Sequence, residues 1–121
     1  MLPLSPRDPE QALSATPFAT PLMPGLPGLG WYPLLIALHR QLSEVDPGYQ
    51  VQQVRQKMGT LRVYCRFRPE VADRCQEMVW RTERASAHIC ERCSEPARLR
   101  SSLPAARTLC DACASAAGYT D

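Results

Sequence analysis

Two pairs of closely spaced cysteines constrain this 121-residue chain more than any other feature of its sequence. Cys90 and Cys93 form one pair, Cys110 and Cys113 form the other, and sixteen residues lie between the pairs. Two intervening residues let one tight turn direct both thiolates at a tetrahedral centre, and the longer insert lets a second turn approach from the opposite side. The spacing therefore predicts one metal centre with four thiolate ligands.

A single structural Zn²⁺ is the ion that this donor set favours. Four protein ligands leave no open coordination position, so the ion is expected to stabilise the fold rather than to perform hydrolysis. Its binding energy, roughly 10–16 kcal/mol in zinc-finger peptides, is also folding energy. The spacing leaves open a pair of disulfides, a redox-active Cys-x2-Cys and an iron–sulfur centre. Ser94 and Ala114 follow the pairs where zinc turns often have a glycine with positive φ, which indicates slight strain.

The other cysteines and the two histidines are predicted to have structural roles. Cys65 and Cys75 lie on predicted apolar stripes, where a thiol behaves as a small core residue. His88 is a weak substitute ligand because it lies two residues before Cys90. His39 is expected to be a polar residue at the boundary of the first apolar helix face.

Proline divides the chain into an arm and a folded unit. Seven prolines fall within residues 1–29, and repeated proline removes backbone donors and opposes both helix and sheet. We therefore predict a disordered arm over residues 1–29 and a single small domain over residues 30–121, with the metal module at 88–116. A unit of this size is marginally stable unless a metal or disulfide reinforces it.

The folded unit is predicted to be α+β. Its order is helix, β-hairpin, helix and a C-terminal zinc ribbon with four cysteine ligands. Leucines at helical spacing after Pro33 predict the first helix, which Asp46-Pro47-Gly48 ends. Two strands, Gln50–Lys57 and Leu61–Arg68, are predicted around a turn at Met58-Gly59. A second helix is predicted from Pro69 to about His88. Two short strands in the ribbon are predicted at Arg98–Arg100 and Arg107–Leu109.

Positive charge is concentrated in the middle of the chain. The net charge is +2, but residues 50–107 hold twelve Arg or Lys against six Asp or Glu. A turn at Met58-Gly59 sets Arg55 opposite Arg62 and Gln53 opposite Tyr64, and like charges so placed destabilise a sheet unless solvent or an anionic partner neutralises them. The basic face consists of Arg55, Lys57, Arg62, Tyr64 and Arg66. It has the composition of a nucleic-acid surface, and an acidic protein would fit it equally well.

Trp80 is the second candidate contact. It projects from the side of its helix opposite the apolar stripe, near Arg84 and Glu77, and an exposed Trp beside Arg is typical of a binding hot spot. The alternative is that Trp80 packs under the zinc module or the arm.

Several functional classes are not indicated. The chain has no paired-carboxylate motif, Gly-rich phosphate loop or activated nucleophile, so we expect no enzyme activity. No apolar run approaches the ~20 residues of a membrane span. The first ten residues make a poor secretory signal, so a cytoplasmic location with reduced cysteines is expected.

The motifs together resemble a group of small bacterial and phage-associated proteins without an assigned activity. Gly30-Trp31 matches the pattern G-W of these proteins, and the block from Gln53 to Tyr64 is similar to their Q-V-K-E-K-F-G-x-L-R-F-Y. The segment from Thr108 to Cys113 matches their T-L-C-D-x-C. Gln56, Met58 and Ser94 depart from that pattern. The resemblance implies a fold over residues 30–114 and a mobile-element setting.

The first functional hypothesis is a non-enzymatic, zinc-stabilised protein that binds DNA or RNA through the basic face. One alternative is a protein-binding inhibitor, or an immunity or counter-defence factor of a phage or mobile element, that uses Trp80 and the same basic face. Another is an accessory subunit of a larger complex.

Overall fold

The computed structural model describes residues 9–19 and 27–121. Helices and two small antiparallel sheets confirm the α+β class. The helices are α1 (Pro9–Ser14), α2 (Tyr32–Val45), α3 (Ala72–Ser86) and α4 (Asp111–Ala116), and the strands are β1 (Gln50–Lys57), β2 (Thr60–Arg66), β3 (Arg98–Arg100) and β4 (Arg107–Leu109). Strand β1 pairs with β2, and β3 pairs with β4.

The prediction of a disordered arm requires correction for residues 9–19. These residues form α1 and a 3-10 turn at Pro17–Ala19, and the side chains of Leu13 and Phe18 are buried in the main core. Proline is tolerated in the first turn of a helix, and the proline-free run that follows Pro9 is long enough for α1. Most of the arm otherwise lies at residues 1–8 and 20–26, outside the described residues.

The main core lies between α2, α3 and one face of the β1–β2 hairpin. Its completely buried members include Trp31, Leu35, Leu38 and Leu42, and Cys75 on α3 packs with them. The predicted helix therefore uses the predicted leucine stripe. The metal module has a smaller cluster of its own around Cys90, Leu109, Ala114 and Tyr119.

The hairpin has the predicted turn and register. Arg55 lies opposite Arg62, and Met58 and Gly59 form the tip with φ of 53° and 83°. Two consecutive positive φ values are the mark of a type I′ turn. The register shifts between Val51 and Gln53, and this β-bulge turns Val51 toward the core. The bulge explains why the residues of β1 alternate less regularly than those of β2.

Helix α3 covers the free edge of β2. The Leu61 amide donates to Ser86 Oγ at 2.9 Å, and the Val63 amide donates to Glu83 Oε2 at 2.9 Å. The Arg68 amide, just beyond β2, donates to Asp46 Oδ2 at the end of α2. Unpaired strand donors would otherwise attract a further strand, so these side chains close the sheet edge.

Two predicted boundaries shift. Strand β2 ends at Arg66 rather than Arg68, and the second helix begins with a 3-10 turn at Pro69–Val71 before α3 and ends at Ser86. Pro69 removes a backbone donor and restricts Arg68, which accounts for both changes. Among the described residues, no helix is both long enough and apolar enough to span a membrane.

Candidate metal centre

The first cysteine turn follows α3 directly. The Cys90 amide donates to the Glu95 carbonyl at 2.8 Å, and the Ser94 amide donates back to the Cys90 carbonyl at 3.0 Å. Ser94 has φ of 73°, so the predicted backbone strain at this turn is present. Its hydroxyl donates to the Gly30 carbonyl at 2.7 Å, and glycine would lack this hydrogen bond.

The second cysteine turn is the start of a helix. Cys110 is the N-cap of α4, and its Sγ accepts from the Cys113 amide at 3.4 Å. Ala114 lies inside α4 and does not have a positive φ, so the strain predicted at this turn is absent. The helix makes the turn without a left-handed residue after Cys113, and a helix of so few residues leaves no clear periodic pattern in the sequence.

The four sulfur atoms converge on one point. The Sγ atoms of Cys90, Cys93, Cys110 and Cys113 all lie within 4.8 Å of one another, and the Cys93 and Cys110 sulfurs are 3.6 Å apart. Tetrahedral zinc with bonds of about 2.3 Å separates its ligand sulfurs by about 3.8 Å. All six cysteines are free thiols. The cluster is therefore positioned to bind a metal ion.

The thiols of the cluster differ in acidity. Burial opposes ionisation of Cys90, but hydrogen bonds from the backbone amides of Cys110, Arg92 and Cys93 outweigh it and lower its pKa to about 7. Hydrogen bonding with Cys110, together with burial, raises the pKa of Cys113 to about 12. The thiolate of Cys90 thus forms readily, and a cation is needed to hold Cys113 in the ionised form.

The Gly-Trp segment docks on the first cysteine turn. The Gly30 amide donates to the Glu91 carbonyl at 2.9 Å, and Trp31 Nε1 donates to the Ile89 carbonyl at 2.8 Å. A Cβ at Gly30 would lie only 2.1 Å from the Cys90 carbonyl oxygen. Gly30 is therefore required for close backbone contact, a role that no local sequence pattern indicated.

The hairpin tip docks on the other side of the module. Thr108 on β4 is completely buried and donates its hydroxyl to the Gly59 carbonyl. Gln56 Nε2 donates to the Ala106 carbonyl at 2.9 Å. A Cβ at Gly59 would meet the Leu99 side chain at 2.4 Å. The metal module therefore braces both the start of α2 and the hairpin.

Arg100 holds the module together from within. Only 4% exposed, it donates to the Leu109 and Asp121 carbonyls and pairs with Asp111 Oδ1 at 2.7 Å. The hydrogen bond from Arg100 and its charge lower the pKa of Asp111. Arg107 similarly pairs with buried Glu91 at 3.2 Å. Part of the positive charge counted in the sequence is thus internal and structural.

The predicted basic face lies on the outer side of the hairpin. Arg55, Lys57, Tyr64 and Arg66 are exposed and Arg62 is half-buried. Within the described part of the chain, none of the four cations forms an ion pair. Arg62 Nε is buried without a hydrogen-bond partner there. The predicted cations therefore share one face and are not neutralised by described carboxylates.

Trp80 is half exposed on α3, with 50% of its surface accessible. It lines a cleft with Arg62 and Arg84, so it joins the basic face instead of packing under the metal module. Arg84 pairs with Glu77 at 3.6 Å.

The remaining candidates are structural, as predicted for Cys75 and Cys65. Cys75 is completely buried, Cys65 packs against the core, and burial raises the pKa of both thiols. His39 shares a 2.6 Å hydrogen bond with Tyr49, and burial lowers its pKa. His88 lies outside the sulfur cluster and lines the cleft beside Trp80.

Comparison of the chain with family models, curated proteins and solved structures finds no match. The resemblance to small phage-associated proteins therefore stays a prediction.

Proposed function

We propose that the protein is a non-enzymatic binding protein of the reducing cytoplasm, held together by one structural Zn²⁺. The four-sulfur cluster supports this choice of metal because a tetrahedral all-thiolate site is typical of zinc, and its compactness leaves room for a single ion. Cys90, Cys93, Cys110 and Cys113 would hold the ion and leave no coordination position for a substrate.

Elemental analysis of the purified protein tests the metal. We expect one zinc per chain, and we expect Cys110→Ser to lose it while Cys75→Ser, a cysteine outside the cluster, retains it. A stoichiometric metal other than zinc, or full zinc content in Cys110→Ser, would contradict the proposal.

We further propose that the basic face binds nucleic acid. The observation that carries this proposal is the clustering of Arg55, Lys57, Arg62 and Arg66 around exposed Tyr64, without described carboxylate partners. Facing like charges destabilise a hairpin, and phosphates that neutralise them would remove that cost. Arg suits this role because its guanidinium pairs with phosphate in two-point contacts.

A salt titration of binding to generic DNA and RNA tests this function. Four phosphate contacts to a single strand give a slope of about −3 in log K against log salt, and each Arg→Gln change on the face should reduce its magnitude by about 0.7. Arg40→Gln is the matched control, since Arg40 is exposed on α2 and forms no ion pair with a described residue. Absence of binding at low salt would refute nucleic-acid binding and favour an acidic protein partner.

A further inference from the structure

We propose that the groove between β2 and α3 binds an unstacked base of single-stranded nucleic acid, with Trp80 as the stacking platform. The inference rests on the proposed nucleic-acid binding and specifies which form of nucleic acid is preferred.

The groove consists of two adjoining clefts of about 390 Å³ and 440 Å³. Both are lined by Arg62, Trp80 and Glu83, so Trp80 stands where they meet. One cleft extends past Arg84 and His88, and the other reaches Tyr64 on the basic face. The groove is therefore continuous with the surface proposed to follow the phosphate backbone.

The two aromatic side chains of the groove are exposed. Trp80 and Tyr64 have 50% and 44% of their surface accessible. The ring contacts among the described residues all involve Tyr49, with Phe18, His39 and Phe67, so no ring lies against the Trp80 indole. An indole with a free face in a groove offers a stacking surface to any base, because every base has a π-face.

The charges around Trp80 favour a phosphate next to the stacked base. Arg62 has no ion-pair partner among the described residues, and its buried Nε lacks an acceptor. Glu83 is the carboxylate that lines both clefts, and one of its oxygens is occupied by the Val63 amide. Arg84 lines one of the two clefts and pairs with Glu77 at 3.6 Å. A phosphate at Arg62 would neutralise a guanidinium that has no ion-pair partner among the described residues.

Single strands fit this groove better than duplexes do. Bases inside a duplex are stacked on both faces and must be unpaired before a side chain on a protein surface can stack on them. A single strand presents its bases without that cost. Stacking on an aromatic side chain contributes ~1–3 kcal/mol per base, which corresponds to about thirtyfold in affinity at the middle of that range.

The test measures binding of a labelled oligothymidine of about 12 nucleotides, a length within the usual range for such sites, and of a duplex of equal length. We expect the single strand to bind more tightly than the duplex. Trp80→Ala should weaken single-strand binding about thirtyfold, and Trp80→Phe should recover most of the loss. Leu103→Ala, an exposed apolar residue of the ribbon, should bind like the wild type. Quenching of Trp80 fluorescence on binding, measured in a Trp31→Phe background, reports the stacking directly.

The outcomes separate this inference from the proposed function. Salt-dependent binding that Trp80→Ala leaves unchanged, or equal affinity for the duplex, would overturn the stacking site and leave the basic face intact. Absence of binding to any nucleic acid, together with Trp80-dependent binding of polyglutamate, would overturn both in favour of an acidic protein segment. Circular dichroism and zinc content confirm that each variant is folded.

Discussion

Met58 has a backbone conformation that does not suit its side chain. Its φ of 53° belongs to the left-handed region, where a residue with a Cβ costs about 1–2 kcal/mol. Asparagine and glycine are preferred at this position of a type I′ turn. The positive φ of Met58 therefore indicates a local stability cost at the hairpin tip.

Met58→Asn is expected to stabilise the protein by about 1 kcal/mol, because asparagine tolerates positive φ. Met58→Val should destabilise it, since a branched Cβ is poorly accommodated there. Urea denaturation of the metal-loaded protein measures both free energies of unfolding. If the two substitutions have equal effects, the turn is not of the type that the φ angles indicate.

Gly30→Ala should destabilise the protein by about 1–3 kcal/mol, because the new Cβ would lie 2.1 Å from the Cys90 carbonyl oxygen and the two backbones must separate. Gly48→Ala is the matched control, since the nearest atom to its Cβ is 4.0 Å away. Thermal unfolding compares the two, and competition with a zinc chelator shows whether the metal site is weakened as well. Equal melting temperatures for both variants would contradict the docking of residues 28–31.

Helix α3 stabilises the β1–β2 hairpin. A two-stranded hairpin is marginal alone, and α3 supplies both an apolar face and acceptors for the edge of β2. Ser86 and Glu83 are polar residues in a partly apolar helix, and their hydrogen bonds explain why they face the strand.

Ser86→Ala should cost about 1–3 kcal/mol, because it leaves the buried Leu61 amide without its acceptor. Hydrogen exchange followed by mass spectrometry should show faster exchange in β2, while Ser115→Ala, an exposed serine of α4, should leave the protection unchanged. Unaltered exchange at β2 in Ser86→Ala would show that water replaces the hydroxyl and that α3 does not seal the edge.

The elements differ in how far the sequence predicts them. The spacing of Leu35, Leu38 and Leu42, the Met58-Gly59 turn and the cysteine spacing predict α2, the hairpin register and the sulfur cluster, because each depends on local pattern. The bulge beside Val51 depends on tertiary packing. The burial of Phe18 likewise depends on which parts of the chain pack around it. The density of prolines alone therefore gave the wrong prediction, disorder, for this residue.

The metal module stabilises distant parts of the chain, because the segment around Trp31 and the hairpin tip both dock on it. Removal of the metal is therefore expected to unfold residues 90–113 and also to loosen the contacts of Trp31 and of the hairpin tip. Fluorescence of a Trp80→Phe variant reports on Trp31 alone and should shift to the red with chelator. An unchanged emission spectrum after confirmed metal loss would contradict this coupling.

The affinity of the cysteine cluster for the proposed zinc ion should fall as the pH is lowered. The raised pKa of Cys113, about 12, means that this thiol is protonated at neutral pH in the metal-free fold, and the ion must displace its proton. Each displaced proton changes the affinity by about tenfold per pH unit, so we expect at least that dependence between about pH 6 and 8. Chelator competition across this range measures it, and a flat profile would show that the ligand thiols are already ionised.

The docking of Gly30 and Trp31 on the Cys90 turn also constrains the order of events during synthesis. Residues 28–31 leave the ribosome some sixty residues before the turn on which they rest. Until Cys110 and Cys113 have emerged and an ion has bound, Trp31 lacks its acceptor and the first helix lacks its anchor. A nascent chain that has not bound its metal would therefore leave the Trp31 end of its core exposed to proteases.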